Sequence, residues 1–294
     1  MKKTLLLSTL LSLAAGAALA DVSLSGDGRM GVTSVDAGKT ATFDSRVRVR
    51  FSLSAEADSG LKFGGQFRAN DAVNAAAGTR GTIFIEHPTL GRLTMGDAEG
   101  AVQAAVTQFT AIGYNETGKM QEFQFLTGGD VTTGAGAIDV LYGYTNPNLG
   151  NGVLGAYVSH GNPGTGNGAG AAALSDDFAV GVSYTTEFWK VAAGFEDNGV
   201  RSQSVLSGSY GNGQAEVKVA YGLRDDDKEQ YAVYGTYILG TTTLTGFYRQ
   251  DFAGNDYQGF GVTHDLGSGL AIAAGYAKKD TGKANVNIGA TMSF

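Results

Sequence analysis

Three arginines stand at every second position of the segment 43–54, which reads FDSRVRVRFSLS. Arg46, Arg48 and Arg50 alternate there with apolar side chains. Residues two apart in a β-strand point to the same side, so the spacing predicts a strand with one cationic face and one apolar face. Like charges this close repel each other, so the cationic face needs water around it or acids opposite it. Such a face can attract ions and orient polar solutes.

The composition narrows the functions that this arginine row could serve. The chain is acidic, with 21 Lys and Arg against 28 Asp and Glu, whereas a nucleic-acid partner would require a basic footprint. A solvated strand face with surface salt bridges, worth about 0–1 kcal/mol each, stays open as an alternative. The sequence contains no cysteine, so disulfides and thiol chemistry are excluded.

The sequence gives no support for catalysis or for a nucleotide site. His87, His160 and His264 fall in or beside different turns and loops, without metal-ligand spacing. We find no serine or cysteine with a positioned histidine, so we predict that the protein is not an enzyme. The stretch GDGRMG at 26–31 matches G-x-G-x-x-G, but it lies within an alternating strand pattern and no helical period follows it.

The first twenty residues have the pattern of a secretory signal peptide. Lys2 and Lys3 precede a short apolar run, and Ala18-Leu19-Ala20 is a small-x-small cleavage site. The run is shorter than the about 20 residues that a membrane-spanning helix needs. We therefore expect residues 1–20 to be cleaved and the exported protein to consist of residues 21–294.

Residues 21–294 show apolar and polar alternation almost from end to end, which predicts sixteen strands in one domain. Seven connections are tight turns and eight are longer polar loops, the longest covering residues 97–136. An even number of antiparallel strands with alternating turn lengths favours a closed transmembrane barrel, because backbone groups in lipid must all be paired. A water-soluble β-sandwich or solenoid is the alternative.

Four stretches resemble the general diffusion porins of alphaproteobacteria, the Rhodobacter type. They are VSLSGDGRMGV (22–32), DSGLKFGGQF (58–67), GTIFI…LGRLTMGDAEGA (81–101) and FLTGGD (125–130). The resemblance implies an all-β, 16-stranded antiparallel barrel in the Gram-negative outer membrane, with short periplasmic turns and longer outer loops. It also implies a homotrimer and a third loop folded into the lumen, here residues 97–136. The C-terminal NVNIGATMSF resembles the signal that such barrels present to the barrel assembly machinery, with Phe294 as its last residue.

In such a barrel the lipid face is apolar and the lumen is polar. The phase of the strands then predicts a basic wall lining the pore: Arg29, Arg46, Arg48, Arg50, Lys62, Arg68 and Arg92. The third loop carries the acids that we expect to face this wall: Asp97, Glu99, Glu116, Glu122 and Asp130. Fixed charges of this kind set ion preference in pores. Loop acids could also bind Ca²⁺, but no EF-hand pattern supports this.

The predicted function is passive diffusion of ions and small hydrophilic solutes through a water-filled channel, with no cofactor. The expected partners are outer-membrane lipid and lipopolysaccharide, and nucleic acid is not among them. A substrate-selective channel for sugars or anions is the alternative, although the aromatic residues fall mostly on the lipid phase. A plugged barrel that serves as an adhesin or anchor is a third possibility.

Overall fold

The computed structural model describes residues 20–35, 41–71, 81–128, 139–161 and 177–294. These residues form sixteen antiparallel strands, each bonded to its neighbours in the sequence. The first and last strands pair with each other, so the sheet closes into a barrel. The predicted fold class is confirmed.

The strands are β1 (Asp21–Val35), β2 (Ala41–Glu56), β3 (Lys62–Asn70), β4 (Thr82–His87), β5 (Gly91–Gly96), β6 (Asp139–Leu149), β7 (Gly152–Gly161), β8 (Asp177–Thr185), β9 (Trp189–Asp197), β10 (Ser202–Gly211), β11 (Ala215–Arg224), β12 (Glu229–Leu239), β13 (Thr242–Gln250), β14 (Asp256–Gly267), β15 (Leu270–Lys279) and β16 (Ala284–Ser293). Tight turns, such as Gly240 and Thr241 between β12 and β13, alternate with longer connections. The longest connection joins β5 to β6. The predicted signal peptide lies outside the described residues except for Ala20.

The alternation in the sequence separates the two faces of the barrel wall. On β2, Val47, Val49 and Leu53 point outward and are 49%, 37% and 45% exposed. Phe51 also points outward, and its ring stacks on that of Phe67 with the centroids 4.8 Å apart. Every strand contributes to this outer apolar surface because β residues alternate between the two faces.

The barrel closes through the two ends of the chain. Strand β1 pairs with β16 from Asp27 opposite Ser293 to Val35 opposite Asn285. Beyond the strand, Phe294 and Gly26 exchange two backbone hydrogen bonds, of 2.6 and 3.0 Å. The Phe294 ring lies where a side chain at position 26 would project, so glycine there makes room for the last residue.

The connection between β5 and β6 enters the barrel. We call its described part, residues 97–128, the inner loop. It contains one short helix, α1 (Ala101–Val106), and a tight turn at Glu116–Lys119. In the described part of the chain, no helix has the length and apolar character needed to cross a membrane.

The inner loop packs against one side of the barrel interior. Its side chains Val102, Val106, Phe109, Phe123 and Phe125 are at most 4% exposed. They contact inward-facing, mostly small residues of the barrel wall: Ala179, Ala192, Val205, Ala220, Ala232, Tyr234, Phe247 and Ala277. Each large apolar side chain buried in this way contributes about 1.5–3 kcal/mol.

This packing differs from the expectation that the whole interior is polar. On the strands opposite the arginines, many inward residues are small or apolar, and the inner loop covers them. At Gly181 of β8, an added Cβ would lie 2.5 Å from the carbonyl oxygen of Ala101. The absence of a side chain at Gly181 therefore lets helix α1 lie directly on the strand.

Candidate functional site

Six of the seven predicted wall cations lie on β1, β2 and β3, and Arg92 lies on β5. In the pairing of β1 with β2, Arg29 lies opposite Arg46 and Asp27 lies opposite Arg48. In the pairing of β2 with β3, Arg50 lies opposite Arg68. The register thus places like charges directly across from each other at two levels of the wall, which is unfavourable unless something offsets it.

Acids on the same strands offset part of this charge. Arg48 donates to both carboxylate oxygens of Asp27 through Nε, at 2.8 and 2.9 Å, and its Nη2 lies 2.7 Å from Oδ1. Arg46 Nη2 reaches the same Oδ1 atom at 3.6 Å. Arg29 Nε lies 3.2 Å from Oδ2 of Asp44. The wall at this level is therefore a network of both signs, not a row of uncompensated cations.

The inner loop adds one acid to this network. Oε1 of Glu116 lies 3.7 Å from Nη1 of Arg29 and 3.6 Å from Nη2 of Arg46. Glu116 thus bridges the two arginines that oppose each other across β1 and β2. The loop is held beside β16 nearby, where the Tyr114 backbone N–H donates to Oδ1 of Asn287 at 3.1 Å.

The inner loop has an unusual backbone conformation and a buried phenol at this contact. Four successive residues, Glu116 to Lys119, have positive φ angles of 70°, 43°, 69° and 59°, a conformation that disfavours residues other than glycine. The phenol of Tyr114 is buried, which raises its pKa above the ordinary value, and the nearby Asp44 carboxylate raises it further. Tyr114 therefore stays neutral beside the charged network.

A second level of the wall borders a cavity of about 760 Å³. Its lining includes Arg50, Arg68 and Arg92 from the barrel wall and Asp97 and Glu99 from the start of the inner loop. This cavity therefore brings together three of the predicted wall cations and two of the predicted loop acids.

Arg92 and Lys62 both lie close to Glu86 of β4. Nη1 of Arg92 lies 3.6 Å from Oε2 of Glu86, and its guanidinium carbon lies 3.7 Å above the centre of the Phe84 ring. Lys62 is exposed and lies opposite Glu86 in the pairing of β3 with β4.

The predicted loop acids do not all face the arginine wall. Glu116 contacts the arginines, and Asp97 and Glu99 border the cavity. Glu122 instead pairs with Lys119 of the same loop, at 3.3 Å. Asp130 lies outside the described residues, as do the other residues of 129–138.

Sequence reasoning missed the residues that hold the inner loop to the barrel on the far side. Glu196 of β9 is fully buried, and its Oε1 accepts a hydrogen bond from the Leu126 N–H at 2.8 Å. Its Oε2 accepts from the Thr127 N–H at 3.2 Å and from the Thr127 hydroxyl at 2.8 Å. Gln203 donates to the carboxylate of Glu196 and, at 2.9 Å, to the carbonyl of Gln124. The strand phase places Glu196 inward, but no sequence signal identifies its partners.

A lysine holds the loop near the end of helix α1. Nζ of Lys218 donates to the carbonyl and to the hydroxyl of Thr107, both at 2.8 Å. The ammonium group also lies 4.8 Å from the centre of the Phe109 ring, a cation–π distance. Thr107 has φ of 65°, so Lys218 secures a residue in a disfavoured conformation.

The suggested Ca²⁺ site finds no geometric support among the described residues. In that part of the chain, no three acidic or histidine side chains converge closely enough to hold a metal ion. The described loop acids are dispersed between the arginines, the cavity and Lys119.

Comparison with known proteins gives consistent results. The sequence model of the family described as Gram-negative porin matches residues 7–284. A protein named porin from Rhodobacter capsulatus is 29% identical over 297 residues, covering 88% of this chain and 95% of that protein. A porin structure refined at 1.8 Å resolution superposes with a TM-score of 0.80 at 27% identity, covering 93% of this chain and 100% of the other. A triple mutant of the Rhodopseudomonas blastica porin superposes with a TM-score of 0.74 at 19% identity, with the same coverage, and supports the fold.

Proposed function

The chain belongs to the family of Gram-negative porins, and on that premise we propose that the narrow part of its channel lies between the arginine wall and the inner loop. As a porin it is an outer-membrane channel, through which ions and small hydrophilic solutes diffuse without an energy source. The observation that carries the proposal is the contact of Glu116 with Arg29 and Arg46. A loop packed on the far wall that also reaches the near wall must reduce the open cross-section.

The narrow cross-section would limit the size of the solutes that pass. The charges at this level would in addition favour polar solutes over apolar ones. Arginines line one side of the cavity and acids of the inner loop line part of the other. A polar solute can orient between the two signs of charge, whereas an apolar solute would lose water there without compensation. This supports a general diffusion channel, and we find no feature that favours a sugar-selective one.

We also propose the finer assignments that the resemblance implies. Residues 1–20 would be removed on export, three copies would assemble, and Phe294 would present the assembly signal. The pairing of Phe294 with Gly26 at the closing seam supports a role for the last residue in assembly. Porins are channels rather than enzymes, and we propose that this chain has no catalytic activity. The outer apolar surface supports contact with lipid and with lipopolysaccharide.

Conductance in a planar lipid bilayer tests the function directly. The purified, refolded protein should give large ohmic current steps with weak ion selectivity in KCl. Absence of steps from protein whose barrel is intact by circular dichroism would refute the open channel. Steps that one sugar blocks at low concentration would favour the selective alternative. Mass spectrometry of the exported protein would show whether the chain starts at Asp21.

A further inference from the structure

The arginine wall divides into two levels that differ in how their charges are compensated. Arg29, Arg46 and Arg48 each lie between 2.7 and 3.7 Å from at least one carboxylate oxygen. The carboxylates come from neighbouring strands and from the inner loop, so this level needs no further anion.

The second level, Arg50 and Arg68, lacks such compensation within the described residues. Arg50 has Ser25 opposite it on β1 and Arg68 opposite it on β3. Neither arginine has an ion pair with a described acid, although six other arginines do. The Nε atom of Arg68 is buried and has no hydrogen-bond partner. Two arginines therefore occupy directly opposed positions on adjacent strands and line one cavity without a described acid to pair with.

The residues around Arg50 and Arg68 are suited to binding a small polar solute. Arg50 and Arg68 border the cavity of about 760 Å³, together with the neutral hydrogen-bonding side chains Gln66, Thr82 and Thr94. The nearby acid Glu86 contacts Arg92. Asp97 and Glu99 approach from the inner loop and also have interactions of their own. The cavity can thus receive an anion at its arginine side.

We propose that Arg50 and Arg68 form an oxyanion subsite in the channel, at which solutes bearing a phosphate or carboxylate group pause during passage. The inference rests on the proposed channel function and names a class of solute that the channel favours. Guanidinium groups bind both oxyanions through paired N–H donors, and an anion between the two arginines relieves their mutual repulsion. Arg50 is exposed to the lumen, so the binding is weak and the solute can leave again, as transport requires.

Single-channel recording with inorganic phosphate tests the subsite. With the wild type in KCl, added phosphate should reduce the current in a saturable manner. Arg50→Gln and Arg68→Gln should each weaken the apparent phosphate affinity about fivefold, since an exposed charge pair contributes up to about 1 kcal/mol. Arg48→Gln is the matched control, because it removes one charge from the same strand while Arg50 and Arg68 stay in place.

The outcomes separate the subsite from a general effect of charge. If Arg48→Gln weakens the phosphate effect as much as the other two variants, the subsite is refuted. Saturable current reduction by succinate, sensitive to the same two substitutions, would extend the subsite to carboxylates, whereas phosphate alone would restrict it to phosphate. A wild-type channel that conducts without any saturable effect of either anion would also refute it.

A second measurement does not depend on conductance. Phosphate binding to the detergent-solubilised barrel should broaden the phosphate signal in ³¹P NMR, and the Arg50→Gln, Arg68→Gln double variant should lose that broadening. Binding without current steps would contradict the channel and leave the subsite supported. Current steps without broadening or block would contradict the subsite and leave the channel supported.

Discussion

At the level of Arg29 and Arg46, the inner loop adds one carboxylate to a network that already contains Asp27 and Asp44. Arg29 and Arg46 lie opposite each other on adjacent strands, a placement that repulsion opposes. Oε1 of Glu116 lies within 3.7 Å of both guanidinium groups and is the one carboxylate in this network that pairs with both Arg29 and Arg46 among the described residues. The alternation in the sequence places both arginines inward. It cannot identify Glu116 as their partner, because that contact depends on the path of a loop seventy or more residues away.

Glu116→Gln should shift the channel toward anions. The substitution removes a negative charge but keeps the side chain's length, so Arg29 and Arg46 become less compensated and the field in the lumen more positive. The reversal potential in a KCl gradient should move toward the chloride equilibrium potential.

Glu122→Gln is the matched control for this prediction. It removes the same charge from the same loop, but its described ion pair is with Lys119 and not with the arginine wall. An equal shift of the reversal potential in both variants would contradict a specific role for Glu116.

The inner loop has a strained backbone turn, which contacts of the loop with the barrel wall stabilise. The turn from Glu116 to Lys119 places three non-glycine residues at positive φ, at about 1–2 kcal/mol each. The loop offsets this cost at separate places: ion pairs with the arginines, the apolar cluster, and the buried carboxylate of Glu196. Removal of one of these contacts should loosen a segment, not unfold the barrel.

Glu196→Ala should release the end of the inner loop. The Leu126 and Thr127 N–H groups would lose their acceptor, and a buried unsatisfied donor costs about 1–3 kcal/mol. We expect noisier single-channel current with a changed mean conductance, while the barrel still folds. Glu187→Ala, in the tight turn before β9, is the control; similar noise from it would contradict the role of Glu196.

Gly181→Val should displace helix α1 from the wall. An added Cβ at this position would meet the Ala101 carbonyl oxygen at 2.5 Å, and overpacking of this kind costs about 1–3 kcal/mol. The temperature at which the barrel unfolds, followed by gel mobility of unheated and heated samples, should fall. Gly246→Val is the control, since its nearest atom would be 3.9 Å away, and an equal fall would argue against a contact with α1.

Strands were more predictable than the inner loop for a physical reason. A strand such as β2 contacts lipid on one side and the interior on the other, so both environments select residues with a period of two. Even Ser202–Gly211, where apolar and polar residues alternate less regularly, forms strand β10. Helix α1 contains only six residues and is buried by the wall, so no amphipathic period is visible in its sequence.

At the scale of the whole molecule, the barrel wall separates membrane lipid on its outside from water on its inside. Outward side chains remain apolar around the wall, while the interior combines charged residues on β1 to β5 with a side that the inner loop covers. On that side, small and apolar residues surround the buried charges of Glu196 and Lys218. The first feature follows from alternation, which every strand repeats. The second depends on contacts between the loop and distant strands, and no local pattern in the sequence encodes it.

The outward surface gives a prediction for the molecule as a whole. Val233 of β12 points outward, is 46% exposed and lies opposite Val219. Val233→Lys should lower the fraction of protein that folds into lipid vesicles, since a lysine on the lipid face costs about 2–4 kcal/mol near mid-membrane. Thr236→Lys is the matched control: it lies on the same strand but on the opposite, inward face, and it borders a cavity whose lining includes the charged residues Lys190 and Glu216. Folding measured by gel mobility should fall for the first variant and change little for the second. Equal losses would contradict the assignment of the two faces, because the same charge would then cost as much inside the barrel as against lipid.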